Sequence, residues 1–146
     1  PSEAEAPDVL VCSYHGVPKR YLMQGDPYHC HCQKTTRLLR ERLGWGKDRV
    51  VTTFQSKFGP EEWLQPYTVE EVARLAEAGK KRIAVIAPAF SSDCIETLEE
   101  INEEIQESFT EAGGEDFTYL PCLNDDEAHI RMMAEIVESN LAGWLD

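Results

Sequence analysis

Between Ile83 and Ile130 the chain has no lysine and no arginine, although this 48-residue window carries thirteen Asp and Glu. The other 98 residues hold fourteen acidic and fourteen basic side chains, so the whole formal net charge of -13 sits in the window. With a pI of about 4.7, the chain lacks the basic surface that phosphates attract, which argues against nucleic acid as a partner. No apolar stretch approaches the ~20 residues needed to span a bilayer, and no signal-peptide pattern opens the chain. Neither a G-x-G-x-x-G nor a Walker A sequence is present, so nothing supports nucleotide binding. Cysteines number five, an odd count in a chain long enough not to need staples, so reduced thiols and a cytoplasmic setting are expected. Internal repeats and low-complexity segments are absent.

What is present is one ordinary domain: 146 residues, 42% hydrophobic, enough for a real core. Residues 1–7 read as a short polar lead-in and 8–146 as the domain. Four apolar, largely β-branched runs, Val9–Ser13, Val50–Phe54, Ile83–Ala87 and Phe117–Leu120, are each followed by a helical pattern, Cys30–Leu43, Val69–Ala78, Ile95–Ala112 and Asp125–Leu145. This alternation predicts an α/β fold, a single four-stranded parallel sheet flanked by helices. Thr68-Val-Glu-Glu71 and Asp93-Cys-Ile-Glu96 read as capping boxes. Gly44, Gly79 and Gly113-Gly114 mark helix ends.

Ligands of such sheets bind beyond the carboxyl ends of the strands. The three segments leaving strands one to three are long, and loops longer than a connector needs usually carry function. His15 follows strand one and is itself followed by Gly16, which permits close backbone approach; it can act as a base or a metal ligand, or be a hydrogen-bonded loop histidine. Phe58, Trp63, Tyr67 and Phe90 suit the rim of a cleft for a large flat ligand, or serve only to anchor the loops. In the acidic helix, Ile95, Leu98, Ile101, Ile105 and Phe109 form an apolar stripe and place Glu96, Glu100 and Glu104 on the other side. These three recur every four residues with no cation to relieve them. The bland reading is a solvated face plus a cap; the sharper one is a path for a hard cation or for protons. His29-Cys30-His31-Cys32 is expected to be structural, because no second pair follows at a zinc-like distance. Cys12 and Cys122 read as buried small residues.

Four motifs in one order carry a resemblance. Ser13-Tyr14-His15-Gly16-Val17-Pro18, then Gly25-Asp26-Pro27-Tyr28, then Phe54-Gln55-Ser56-Lys57-Phe58-Gly59-Pro60 with Trp63-Leu64-Gln65-Pro66, and Phe90-Ser91-Ser92-Asp93-Cys94-Ile95-Glu96-Thr97-Leu98 resemble ferrochelatase. Gly113-Gly114 and Pro121-Cys122-Leu123-Asn124 extend the likeness to the end of the chain. That family inserts Fe2+ into protoporphyrin IX to make haem. The resemblance implies a chelatase-like lobe of flavodoxin-like or Rossmann-like architecture. It implies that His15 and Glu96 are catalytic, on opposite sides of the macrocycle, and that Tyr14, Trp63, Phe90 and Ser92 contact the porphyrin. It places the metal on His15, Glu96, Glu100 and Glu104, the last two on a helix with a π-type widening.

Ferrous iron is then substrate, not cofactor. No iron–sulfur cluster is expected, since the cysteines form no cluster pattern. The family enzyme has two similar lobes, and this chain resembles only the C-terminal one. The N-terminal lobe is therefore expected as a partner, and peripheral membrane contact through it is left open. Alone, the chain is expected to bind porphyrin weakly and turn over little. Two rivals stand beside this reading: a single-lobe homodimeric cobalt or nickel chelatase of the same superfamily, and a non-catalytic acidic metal-binding domain.

Overall fold

The computed structural model describes residues 6–144. Four strands, β1 (Val9–His15), β2 (Val50–Gln55), β3 (Arg82–Ile86) and β4 (Asp116–Tyr119), form one sheet in the order β2-β1-β3-β4, every pairing parallel. Strands one to three are nearly continuous apolar or buried runs, as expected for strands covered on both faces. Helices α1 (Lys19–Met23) and α2 (Tyr28–Leu43) lie between β1 and β2, and α3 (Thr68–Glu77) between β2 and β3. A ten-residue π-helix (Glu96–Ile105) runs directly into α4 (Gln106–Glu111), and α5 (Glu127–Leu141) follows β4.

Alternation along β1 divides the core. Val9 and Val11 face α3, the π-helix and α4, packing with Val72, Ile101 and Phe109. Leu10, Cys12 and Tyr14 face α2, packing with Cys32, Phe54 and Leu64. The chain leaves β1 toward β2 on one side and returns past β1 to β3 on the other. The switch point, where a parallel sheet opens its ligand crevice, therefore lies beyond the carboxyl ends of β1 and β3.

The predicted helix Ile95–Ala112 exists, but its first ten residues are π-helical. Widened turns with i→i+5 bonds change which side chains face the core. Thr97, Ile101 and Ile105, stepping by four, are buried, whereas Ile95 and Leu98 of the expected apolar stripe are 62% and 50% exposed. Neither expected capping box forms. Thr68 lies inside α3 with Tyr67 as N-cap, and its hydroxyl joins Ser13 and Thr53 in a buried network. Asp93 does not cap the π-helix amides, because its carboxylate is taken by the loop after β4.

Helix α5 starts at Glu127, with the Asp126 side chain accepting from the Ala128 and His129 amides, rather than at Asp125, and it ends at Leu141, short of the expected Leu145, which itself lies outside the described residues. It buries only His129, leaving Ile130, Ile136 and Val137 more than half exposed.

The turn after α4 is tight enough to test. A Cβ at Gly114 would stand 2.1 Å from the Phe109 ring, itself fully buried against β4. Gly114→Ala is expected to destabilise the fold by about 1–3 kcal/mol, the range for overpacking a core. Urea unfolding should show a lower midpoint at unchanged slope.

Candidate active site

His15 ends β1, in register with Gln55 at the end of β2. Its Nδ1 lies 2.7 Å from the Gly16 carbonyl. A carbonyl only accepts, so Nδ1 carries the hydrogen, and in the neutral ring the lone pair is on Nε2. The backbone carbonyl of His15 accepts from the Tyr28 hydroxyl at 2.8 Å, which ties the strand end to α2. Trp63 and Phe90 flank the imidazole, with ring centroids at 6.2 and 6.3 Å.

Trp63 reaches this position because the loop after β2 is laced to the loop after β1. The Leu64 amide donates to the Val17 carbonyl and the Lys19 amide to Glu62, both at 3.0 Å. Gly16 is required at the crossing: a Cβ there would meet the Gln55 carbonyl at 2.9 Å and the Trp63 ring at 3.0 Å.

The π-helix supplies the other wall. Glu96, Glu99, Glu100 and Glu104 line one cleft of about 370 Å³ together with Ser56, Lys57 and Phe58. The wide turn keeps residues four apart on one face, so the three expected carboxylates do form a column. Glu99, not among the three carboxylates singled out from sequence, shares the cleft. The Cys94 thiol, donating to Glu96, is the main influence holding that carboxyl below its ordinary range. The residue's own backbone amide acts the same way, burial opposes, and the nearby His15 adds a further downward pull. Burial first, then Glu96, pushes the Cys94 thiol up, which keeps it a donor.

Among the described residues no three His, Cys, Asp or Glu side chains gather closely enough to hold a metal ion. His29, Cys30, His31 and Cys32 are included in that statement. The carboxylates of the π-helix thus do not form one coordination shell, whose ligands would converge at about 2 Å.

The remaining expected residues divide. Ser92 is exposed on the loop after β3. Tyr14 is placed away from the cleft: it is 2% exposed, in the core against α2, with its hydroxyl 3.0 Å from Thr36. Period-two alternation turns residue 14 to the α2 face, while His15 at the strand end turns toward the crevice.

Two sets of residues were not visible in sequence. Gln55 and Ser56 hold Glu100. Asp93 gathers Thr97, Tyr119 and Asn124 side chains and the Cys122 amide, fastening the start of the π-helix to the loop after β4. Apart from Thr97, four positions from Asp93, the partners lie 26 to 45 positions apart, so these contacts leave no local signal even though Gln55, Ser56 and Asp93 stand within the motifs quoted above.

Comparison with known proteins gives the family. The family model described as ferrochelatase matches residues 1–141. The chain is 74% identical over 140 residues to a ferrochelatase of Rhodobacter capsulatus, covering 96% of this chain and 40% of the relative. It is 61% identical over 135 residues to one of Marinobacter nauticus, covering 92% of this chain and 36% of the relative. Against one of Allorhizobium ampelinum it is 58% identical over 139 residues, covering 95% and 40%. The chain thus spans about 40% of the length of these curated relatives, and with the family model matching residues 1–141 it belongs to the ferrochelatase family.

Proposed function

We propose that the chain is the C-terminal catalytic lobe of a ferrochelatase that inserts Fe2+ into protoporphyrin IX, with ferrous iron as substrate. The observation that carries this is the crevice itself: an imidazole whose Nδ1 lies on the Gly16 carbonyl, in contact with two aromatic rings and beside a cleft walled by carboxylates. A flat apolar macrocycle suits Trp63 and Phe90. A dication entering it must shed water while two pyrrole N–H protons leave. Bending the ring presents a nitrogen lone pair to the metal.

His15 Nε2 and Glu96 divide these tasks, one accepting protons and the other presenting the metal. Glu104 and Glu100 lead a hard cation toward Glu96. Ser92, on the exposed loop beside Phe90, is in reach of the porphyrin edge; Tyr14 acts by packing rather than by contact.

The N-terminal lobe is the expected partner, and the exposed apolar side of α5 is a surface it would cover. None of the described helices is long and apolar enough to cross a membrane; peripheral contact through the N-terminal lobe is part of the proposal.

The test compares this chain alone with the same chain substituted for the matching segment of the Rhodobacter capsulatus ferrochelatase. Zinc insertion into porphyrin should be robust in the chimera and marginal in the chain alone. A chimera that folds but inserts no metal would overturn the reading. Robust turnover by the chain alone as a homodimer would favour a single-lobe chelatase instead.

A further inference from the structure

The geometry points to Gln55 and Ser56 as positioning residues that hold Glu100 and compete with a passing cation for its carboxylate. This rests on the metal-handling reading above. Glu100 Oε1 accepts from the Ser56 amide at 2.6 Å, and Oε2 accepts from the Ser56 hydroxyl at 2.6 Å and the Gln55 side-chain amide at 3.1 Å. An ionised carboxylate offers about four acceptor sites, so three are occupied and one is left for a metal. Glu104, one turn further on, has no donor on its carboxylate among the described residues. Within the column, Glu100 is therefore the station whose affinity the protein has turned down.

The holding groups are themselves fixed. Gln55 is 3% exposed; its oxygen accepts from the Ser13 hydroxyl at 2.6 Å, and its nitrogen also donates to the Glu96 backbone carbonyl at 2.7 Å. The amide is thus oriented from both ends, and one side chain touches two stations of the π-helix. Ser56 has φ +61°, a conformation that non-glycine residues seldom adopt. Held there, it points both its N–H and its hydroxyl at one carboxylate, and backbone outliers of this kind concentrate at sites of function. Ser56 and Glu100 also line a second cavity of about 200 Å³ beside Tyr67. The hold lies where the aromatic loop meets the acidic column.

Competition predicts a result that mere support of the loop does not. Titrating the chain with Co2+ alone by calorimetry, Ser56→Ala should bind roughly tenfold tighter than wild type, because a hydrogen bond to a charged group is worth at least ~1.4 kcal/mol. Alanine keeps the Cβ and the N–H and removes only the hydroxyl. In a Glu100→Gln background the same substitution should have no effect, which isolates the pairwise interaction. Unchanged or weaker binding in Ser56→Ala overturns the inference, as does tightening that persists in Glu100→Gln. A wild-type chain that binds no Co2+ overturns the metal-handling reading itself, whereas Co2+ binding indifferent to Ser56 overturns only the positioning role.

Discussion

Glu96→Gln, made in the chimera with the Rhodobacter capsulatus enzyme, is expected to lower metal insertion by roughly a hundredfold to ten-thousandfold, the range for loss of a positioned acid–base group. The substitution is nearly isosteric, so the π-helix and its buried residues Thr97 and Ile101 should be undisturbed. What changes is a carboxylate that Cys94 and its own amide hold ionised beside His15. Glutamine can neither take a proton nor offer the same charge to a dication. Porphyrin affinity should stay within a few-fold, since the aromatic contacts come from Trp63 and Phe90. The non-catalytic alternative makes the opposite forecast: Glu96 would then be one of thirteen charges in the window, and its loss would barely alter Co2+ binding or turnover. A rate within tenfold of wild type would sink the assignment.

Asp93→Ala should be the most destabilising single substitution near the site, by about 3 kcal/mol in chemical denaturation. It leaves the Tyr119 hydroxyl, the Asn124 amide and the Thr97 hydroxyl without their common acceptor, and hydrogen bonds to a charged group are worth ~1.5–3 kcal/mol each before relaxation. The pH dependence has a definite sign. Burial pushes the Asp93 carboxyl up, but Asn124, Tyr119, the Cys122 amide and Thr97 together outweigh it and hold the group well below its ordinary 3.8. The folded value is the depressed one, so the stabilisation is fully present above the unfolded pKa of about 4 and is lost as pH falls through the folded pKa. The stability gap between wild type and Asp93→Ala should therefore be constant from pH 7 to 5 and narrow below pH 4. A gap that does not change with pH would show that the ionised carboxylate is not what the four donors recognise.

Local pattern carried most of the architecture. Runs of β-branched residues placed the four strands to within one or two residues, because strands buried on both faces must be apolar throughout. Helix ends fell at Gly44, Gly79 and Gly113, where the backbone adopts positive φ. Where sequence reading erred, a tertiary partner had outbid a local one. Thr68 and Asp93 stand where capping residues belong, yet Ser13 and Thr53 claim the first and Asn124 and Tyr119 the second. The apolar stripe starting at Ile95 assumed 3.6 residues per turn, and the π-helix shifted the buried face to Thr97.

The site shows the same division. Residue types and order alone determined the family, the parallel sheet and the basic-free window. The sheet and the charge window follow from short-range spacing and composition, and the family from its motifs in order, all of which a linear chain displays directly. Only the tertiary structure decided that Tyr14 is core, that Glu99 shares the cleft, that Nδ1 of His15 lies on the Gly16 carbonyl, and that Glu100 is held by Gln55 and Ser56. Each of these depends on register between strand ends or on hydrogen bonds spanning tens of residues. Such contacts are set by how the sheet twists and the loops cross, which no local stretch of sequence encodes.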